Sequence, residues 1–202
     1  ELYESGYRLL VIDDDGRARE YWAHIILNQN ADCSEELYDK RPENTSLLLG
    51  AKYSLIRKEF QIEAMHGAQT AEKVRTILVS MGGGDNKKAI NNVVRAISHY
   101  TQLGIKIIVI GIDDELDLAD EKHRAGIQVV GRVDNMAQHM ANCDLAVSAA
   151  GSTCWELCSM GVPFILLVND DNQKSVAEPL AARGAAFNLG RWNYRTSDQL
   201  VE

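Results

Sequence analysis

The stretch Asn135–Val168, NMAQHMANCDLAVSAAGSTCWELCSMGVPFILLV, decides the fold. In Asn135–Asn142 apolar residues fall three or four apart, and a short apolar run, Leu145–Ser148, follows. A second segment of helical spacing, Thr153–Met160, ends at Gly161, and a further apolar run covers Phe164–Val168. Short continuous apolar runs fit strands buried on both faces. A helical segment between two of them makes a βαβ unit and a parallel sheet. Working outward, the same alternation takes in the runs Ile77–Ser80, Ile105–Ile110, Gln128–Val130 and Ala186–Leu189 and the helical segments Asn86–Gln102 and Lys174–Arg183. Gly104, Gly161 and Gly184 stand where a helix closes on a left-handed residue. The expectation is α/β, a Rossmann-like parallel sheet over residues 75–202.

Residues 1–74 have a different texture. Arg8–Asp13, Ile25–Asn28 and Leu47–Leu49 read as strands, while Asp32–Ser46 is polar, lacks period and carries Pro42. A doubly wound domain usually needs about 100 residues, so this part reads as the remnant of a second Rossmann-like domain plus a linker, placed at Phe60–Arg75. Thr196–Glu202 resembles the first turns of a helix cut short. The 75–202 domain is therefore expected to be truncated at its end, and the chain to be a piece of a longer protein. Its incomplete domain would leave a sheet face or edge open to self-association.

With 21 basic and 29 acidic side chains among 202 residues the net charge is −8, a field that repels nucleic acid and anionic membranes. No nucleic-acid partner is expected. Cys33, Cys143, Cys154 and Cys158 form no C-x-x-C and have no His pair at zinc spacing. That suits a reducing, cytoplasmic setting, with neither metal nor cofactor. Leu9–Ile12 and Phe164–Val168 fall far short of the ~20 apolar residues a bilayer span requires, and the opening residues, without a basic and apolar stretch, lead us to expect no signal peptide.

Four places carry candidate chemistry. Ser80-Met81-Gly82-Gly83-Gly84-Asp85 follows a strand and opens a helix, so its amides can approach a phosphate closely. Its plain alternative is a strand-to-helix turn capped by Asp85. Ala149-Ala150-Gly151-Ser152-Thr153-Cys154-Trp155-Glu156 sits at another strand's carboxyl end, where open α/β sheets bind ligands. Thr153-x-x-Glu156 is equally a capping box, so Glu156 reads as cap or as ligand contact. Asn169–Gln173 lies at the same sheet edge, and three converging loops favour a pocket. Asp170 and Asp171, adjacent and without further ligands at known spacing, read as a solvated turn rather than a metal site. Asp13 and Asp14, at the end of the first strand, either face a substrate or solvate a turn.

Taken in order, LLVIDDD, HIILNQN, LLLGAKYSLIRKEF, ILVSMGGGD, MAQHMANCDLAVSAAGSTCWELCSMGVPFILL and the pair Asn172-Gln173 resemble one family over nearly the whole chain. It comprises the nucleotide-sugar hydrolase of pseudaminic acid biosynthesis and the related spore-coat polysaccharide proteins of the SpsG type. More distantly, the second half resembles the UDP-binding domain of MurG-type glycosyltransferases, whose two Rossmann-like domains form the GT-B fold.

The resemblance implies that Gly82, Gly83, Gly84 and Asp85, with Gly151, Ser152 and Thr153, approach a diphosphate. It puts Glu156 on the ribose hydroxyls, backbone groups from Val133 to Met136 on uracil, and Asn172 and Gln173 on the sugar side; Asp13 and Asp14 are sugar-side candidates only from their place at a strand end. The implied reaction is hydrolysis of the anomeric C–O bond of a UDP-sugar, releasing UDP. Its expected His, in an N-terminal G-x-G-H loop, is not in this chain, so no catalytic residue is assigned. Gly84 also stands where the family usually has Ser. The alternatives are a UDP-sugar glycosyltransferase of GT-B fold and a non-catalytic nucleotide-sugar-binding module.

Overall fold

The computed structural model describes residues 1–67, 71–82, 86–112, 116 and 121–201. The chain forms two compact units, Glu1–Leu55 and Ile56–Glu202.

In the smaller unit β1 (Leu10–Ile12), β2 (Ile25–Asn28) and β3 (Ser46–Leu49) form a parallel sheet in that order. The register sets Val11 beside Ile26 and Ile26 beside Leu47. These residues pack with Tyr21, Ala23 and Tyr38 into a small core. Because side chains alternate along a strand, Leu10, Ile12 and Ile25 belong to the other face, and all three are exposed. Asp13 ends β1 in a polar knot. Its Oδ2 accepts from the Gly16 amide at 2.7 Å, the Tyr38 hydroxyl at 2.8 Å and the Tyr21 hydroxyl at 3.3 Å. Burial and the neighbouring carboxylate push the Tyr38 hydroxyl well above its ordinary range, so it stays a donor.

The larger unit begins with α1 (Lys58–Ala64), followed by β4 (Thr76–Ser80), α2 (Lys87–Ile97), β5 (Lys106–Ile110), β6 (Ile127–Val130) and α3 (Met136–Ala141). Then come β7 (Leu145–Ala149), α4 (Thr153–Met160), β8 (Phe164–Val168), α5 (Lys174–Ala182), β9 (Phe187–Arg191) and α6 (Tyr194–Val201). All six strands are parallel, in the order β6-β5-β4-β7-β8-β9. Central β4 is buried from Ile77 to Ser80, which is why its sequence is a continuous apolar run rather than an alternating one. On one face Ile77, Val79, Ile107, Val109 and Val147 pack against Ile90, Val93, Val94 and Ile97 of α2 and Leu200 of α6. Elsewhere α1, α3 and α4 pack against one another, and α4 against β7.

Two departures from the sequence reading have local causes. The single helix expected over Asn86–Gln102 stops at Ile97 and continues as a 3-10 turn to Leu103. The Ser98 hydroxyl bonds back to the Arg95 carbonyl at 3.1 Å and the Thr101 hydroxyl to that of Ser98 at 2.8 Å, drawing those acceptors from the regular helical ladder. Part of the stretch read as linker is α1, a helix of 7 residues anchored by the fully buried Phe60. One apolar anchor in under two turns leaves no period to detect. The expected helix closures do form. At Gly161, φ is +65°, its amide bonds to the Cys158 carbonyl, and the Val162 amide reaches back to that of Leu157, a pattern that needs a residue without Cβ.

Candidate functional site

Counted from its first strand, the larger sheet runs 3-2-1-4-5-6, reversing direction between β4 and β7. At such a reversal the loops leaving two neighbouring strands turn to opposite faces, which opens a crevice at the carboxyl ends. Here the loop after β4, Met81-Gly82, and the loop after β7, Ala150-Gly151-Ser152, leave neighbouring strands at that edge. The strands end in small residues at this point: Ser80 lies beside Ser148 in the register, followed by Ala149 and Ala150.

Gly82 has φ +76°, so the turn out of β4 uses a conformation that costs any L side chain. Gly83, Gly84 and Asp85, also expected at the phosphate, lie outside the described residues. Gly151 has open space where a Cβ would stand and no positive φ. Among the described residues, no hydrogen bond engages the amides of Ser152 and Thr153 at the start of α4. Two unpaired N–H groups at the positive end of a helix dipole suit an anion.

The capping box does not form. Ser152 is the N-cap of α4 and makes no side-chain cap bond. Glu156 instead accepts from Arg57 Nε at 3.0 Å through Oε1. Its side chain is 14% exposed. Burial pushes the carboxyl up from its ordinary range, the hydrogen bond and charge of Arg57 pull it down, and Glu59 pushes it up again.

At the loop after β6, Val133 is half-buried and Met136 buried, while Asn135 caps α3 by accepting the Gln138 amide at 3.1 Å. Among the described residues the amides of Val133 and Met136 have no hydrogen-bond partner. With neighbouring strands about 4.8 Å apart, the ends of β6, β5, β4 and β7 together span roughly 14 Å.

The loop after β8 joins the same edge. Gln173 Oε1 accepts the Asn169 amide at 2.8 Å, and Asn169 Nδ2 reaches Asn86 Oδ1 at 3.4 Å. Asn86 in turn donates to the Met81 carbonyl at 2.8 Å. Asn172 has an exposed side chain. Asp171 is shared by Lys174 at 2.9 Å and Arg191 at 3.0 Å, which hold its carboxyl below the usual range. Among the described residues no group of three or more His, Cys, Asp or Glu is placed to hold a metal ion. No described helix is long and apolar enough to cross a membrane.

The structure thus gathers Gly82, Gly151, Ser152, Thr153, Asn172 and Gln173 at one sheet edge, with Val133, Met136 and Glu156 on adjoining elements. Asp13 and Asp14 belong to the smaller unit. Sequence reasoning missed Arg57 and Asn86, and it named Asn169 within a candidate loop without its bond to Asn86. Arg57 meets Glu156 across 99 positions and Asn169 meets Asn86 across 83, so no local pattern marks either pair.

A parallel sheet of this order, with its switch point between β4 and β7, is a doubly wound α/β domain. Residues 76–202, more than half of the chain, match the glycosyltransferase family 28 C-terminal domain, and the chain belongs to that family. It is 26% identical over 193 residues to the spore coat polysaccharide biosynthesis protein SpsG of Bacillus subtilis, covering 93% of this chain and 56% of that protein. It is also 31% identical over 153 residues to the UDP-N-acetylglucosamine--N-acetylmuramyl-(pentapeptide) pyrophosphoryl-undecaprenol N-acetylglucosamine transferase of Synechococcus elongatus, covering 73% and 42%. Among solved structures, MurG of Acinetobacter baumannii superposes with a TM-score of 0.56 at 19% identity, covering 98% of this chain and 58% of that one. The fold is therefore the GT-B-like α/β arrangement. The chain spans about half the length of the curated relatives it matches. Hydrolysis gains no support from these matches, whose names are those of transferases and of a polysaccharide biosynthesis protein.

Proposed function

We propose that the Ile56–Glu202 unit binds the nucleoside diphosphate of a nucleotide sugar, UDP in the first instance, and that the protein serves sugar transfer in polysaccharide biosynthesis. The observation that carries this reading is the pair of unpaired amides at Ser152 and Thr153, opening α4 beside the β4/β7 crevice. Membership of glycosyltransferase family 28 supports it. In this reading Gly82 and its loop, with Gly151–Thr153, receive the diphosphate. Val133 and Met136 offer backbone groups to the base, Glu156 accepts from ribose, and Asn172 with Gln173 faces the sugar. Domains divided near residue 74, as the sequence reading has them, would make residues 75–202 the nucleotide half.

What such a site does chemically is stabilise a leaving group. Cleavage of the anomeric C–O bond leaves negative charge on the β-phosphate, and fixed amides aimed at that charge favour its departure. The same electrostatics serve a sugar hydroxyl as acceptor or water as acceptor. A glycosyltransferase is the reading the matched names favour.

Calorimetry with UDP and with uridine tests the binding claim: UDP is expected to bind much more tightly, and equal affinities would remove the diphosphate assignment. Incubation with UDP-N-acetylglucosamine, with and without a lipid-linked sugar acceptor, tests the reaction class. UDP release that requires the acceptor supports transfer, whereas equal release into water alone overturns it in favour of hydrolysis.

A further inference from the structure

Arg57 and Glu156 make the longest-range side-chain ion pair described in the larger unit, 99 positions apart at 3.0 Å. Arg57 stands at the N-cap position of α1 and is itself held from two further sides. Its Nη1 lies 3.0 Å from Glu59 Oε1, and its guanidinium stacks over the Phe60 ring at 4.8 Å from the centroid. Phe60 is fully buried, so one face of the guanidinium rests on a fixed ring while the Arg57 side chain as a whole is 54% exposed.

The division of labour at Glu156 is uneven. Arg57 takes Oε1 by its Nε, and among the described residues Oε2 has no hydrogen-bond partner. A ribose diol presents two hydroxyl donors, which an anionic oxygen receives well and a protonated carboxyl receives poorly. Glu156 is mostly buried, and Glu59 adds a like charge nearby. Both effects favour the protonated form. The counterweight is a guanidinium, which does not lose its proton in proteins. Of the other elements packed on α4, α3 carries His139, which makes no hydrogen bond or ion pair with Glu156, and β7 carries no charged residue.

We propose that Arg57 is the positioning residue of a ribose subsite: by pairing with Oε1 it fixes Glu156 so that Oε2 receives the ribose hydroxyls, an inference that rests on the nucleotide reading above. Arg57 then touches no substrate atom itself. It acts through the carboxylate, and nothing else recorded at Glu156 supplies the same charge.

The test is calorimetric titration of UDP and 2′-deoxy-UDP into the 202-residue chain and its R57Q, R57K and E156Q variants, at pH values from about 5 to about 8. The ratio of the two affinities is the readout, because protonation of the phosphate affects both nucleotides alike. Wild type is expected to prefer UDP, and E156Q to lose that preference. R57Q is expected to lower the ratio roughly tenfold, the worth of a hydrogen bond to a charged group. It should also move the loss of preference on acidification to higher pH. R57K keeps a charge but not the planar fork, so it is expected to restore the pH profile and only part of the ratio. An unchanged ratio and profile in R57Q overturns the proposal, as does an equal loss of both nucleotides, which would make Arg57 a direct phosphate contact. Wild type that binds UDP without ribose preference overturns this inference alone, whereas wild type that binds no UDP overturns the nucleotide reading with it.

Discussion

Asn169 Nδ2 stands 3.4 Å from Asn86 Oδ1, and Asn86 Nδ2 donates to the Met81 carbonyl at 2.8 Å. These contacts tie the loop after β8 to the loop after β4, so the proposed sugar side and phosphate side of the crevice are held at a fixed separation. Asn86→Ala removes both bonds. It is expected to cost about 1 kcal/mol of stability in urea unfolding and to weaken UDP binding more than uridine binding in calorimetry. Equal weakening of the two ligands would mean that the bridge supports the sheet end without shaping the phosphate site.

Glu156 makes a signed pH prediction. Its carboxyl is raised above the ordinary value of 4.5, chiefly by burial, so the folded state holds its proton more tightly than the unfolded chain does. The associated stability is fully present below the unfolded value and is lost as pH rises through the folded one. Asp171, whose carboxyl is lowered by Lys174 and Arg191, pulls the other way: its contribution is present above its unfolded value and fades on acidification. Urea unfolding of wild type and Glu156→Gln across this range isolates the first effect. The difference in stability, wild type minus variant, is expected to shrink as pH rises from about 4.5 toward neutrality. A flat difference would show that Arg57 fully offsets the burial.

The sheet of the larger unit was legible because burial on both faces writes itself into sequence as apolar runs. The run Phe164–Val168 coincides with β8, and Thr153–Met160 with α4. The candidate loops were legible for a related reason, since topology puts ligands at strand carboxyl ends and glycines mark where the chain turns there. What escaped was side-chain partnership across the chain. Thr153-x-x-Glu156 spells a capping box, but a cation 99 positions away captures the carboxylate. Likewise Asp13 reads as an open acid at a strand end, yet Tyr38 and Tyr21 converge on one of its oxygens. Such pairs depend on packing that no local spacing encodes. Cys158 shows the converse limit. It shares a helix with the fully buried Cys154, four positions away, yet is exposed.

Asp144 closes the opposite end of the sheet. Its Oδ2 accepts the amides of Arg75 and Thr76, each at 2.8 Å, joining the start of β7 to the start of β4. Asp144→Ala leaves two N–H groups without this acceptor and is expected to cost about 1.5–3 kcal/mol. Asp144→Asn, which keeps an acceptor oxygen without the charge, should cost less. Urea unfolding ranks the two, and UDP affinity per folded molecule should be unchanged in both, since the residue lies at the amino end of the strands.

The first turn of α2 holds Lys87 and Lys88 and no acidic residue. Cations at a helix N-terminus oppose the dipole by roughly 0.3–1 kcal/mol each, a local cost expected where an anion is to be received. Replacing Lys88 by Gln should therefore raise thermal stability slightly while lowering UDP affinity, most clearly at low salt. Affinity unaffected at low ionic strength would remove Lys88 from the phosphate side.

The two glycines flanking the crevice separate backbone need from ligand need. Gly82 has φ +76° with open space around a virtual Cβ, whereas Gly151 has the space but no positive φ. Gly82→Ala therefore carries the left-handed penalty of about 1–2 kcal/mol, without any clash. Gly151→Ala carries neither penalty in the unliganded fold and should leave stability within about 0.5 kcal/mol of wild type. If a diphosphate approaches the amides of Ser152 and Thr153 closely, the new methyl group stands beside its path, and Gly151→Ala is expected to reduce UDP affinity several-fold with uridine little changed. The measurement pairs thermal unfolding with calorimetry on each variant. A Gly151→Ala protein that is fully stable and binds UDP as wild type does would show that no phosphate comes near this backbone, and the anion site would have to be sought at the β4 loop alone.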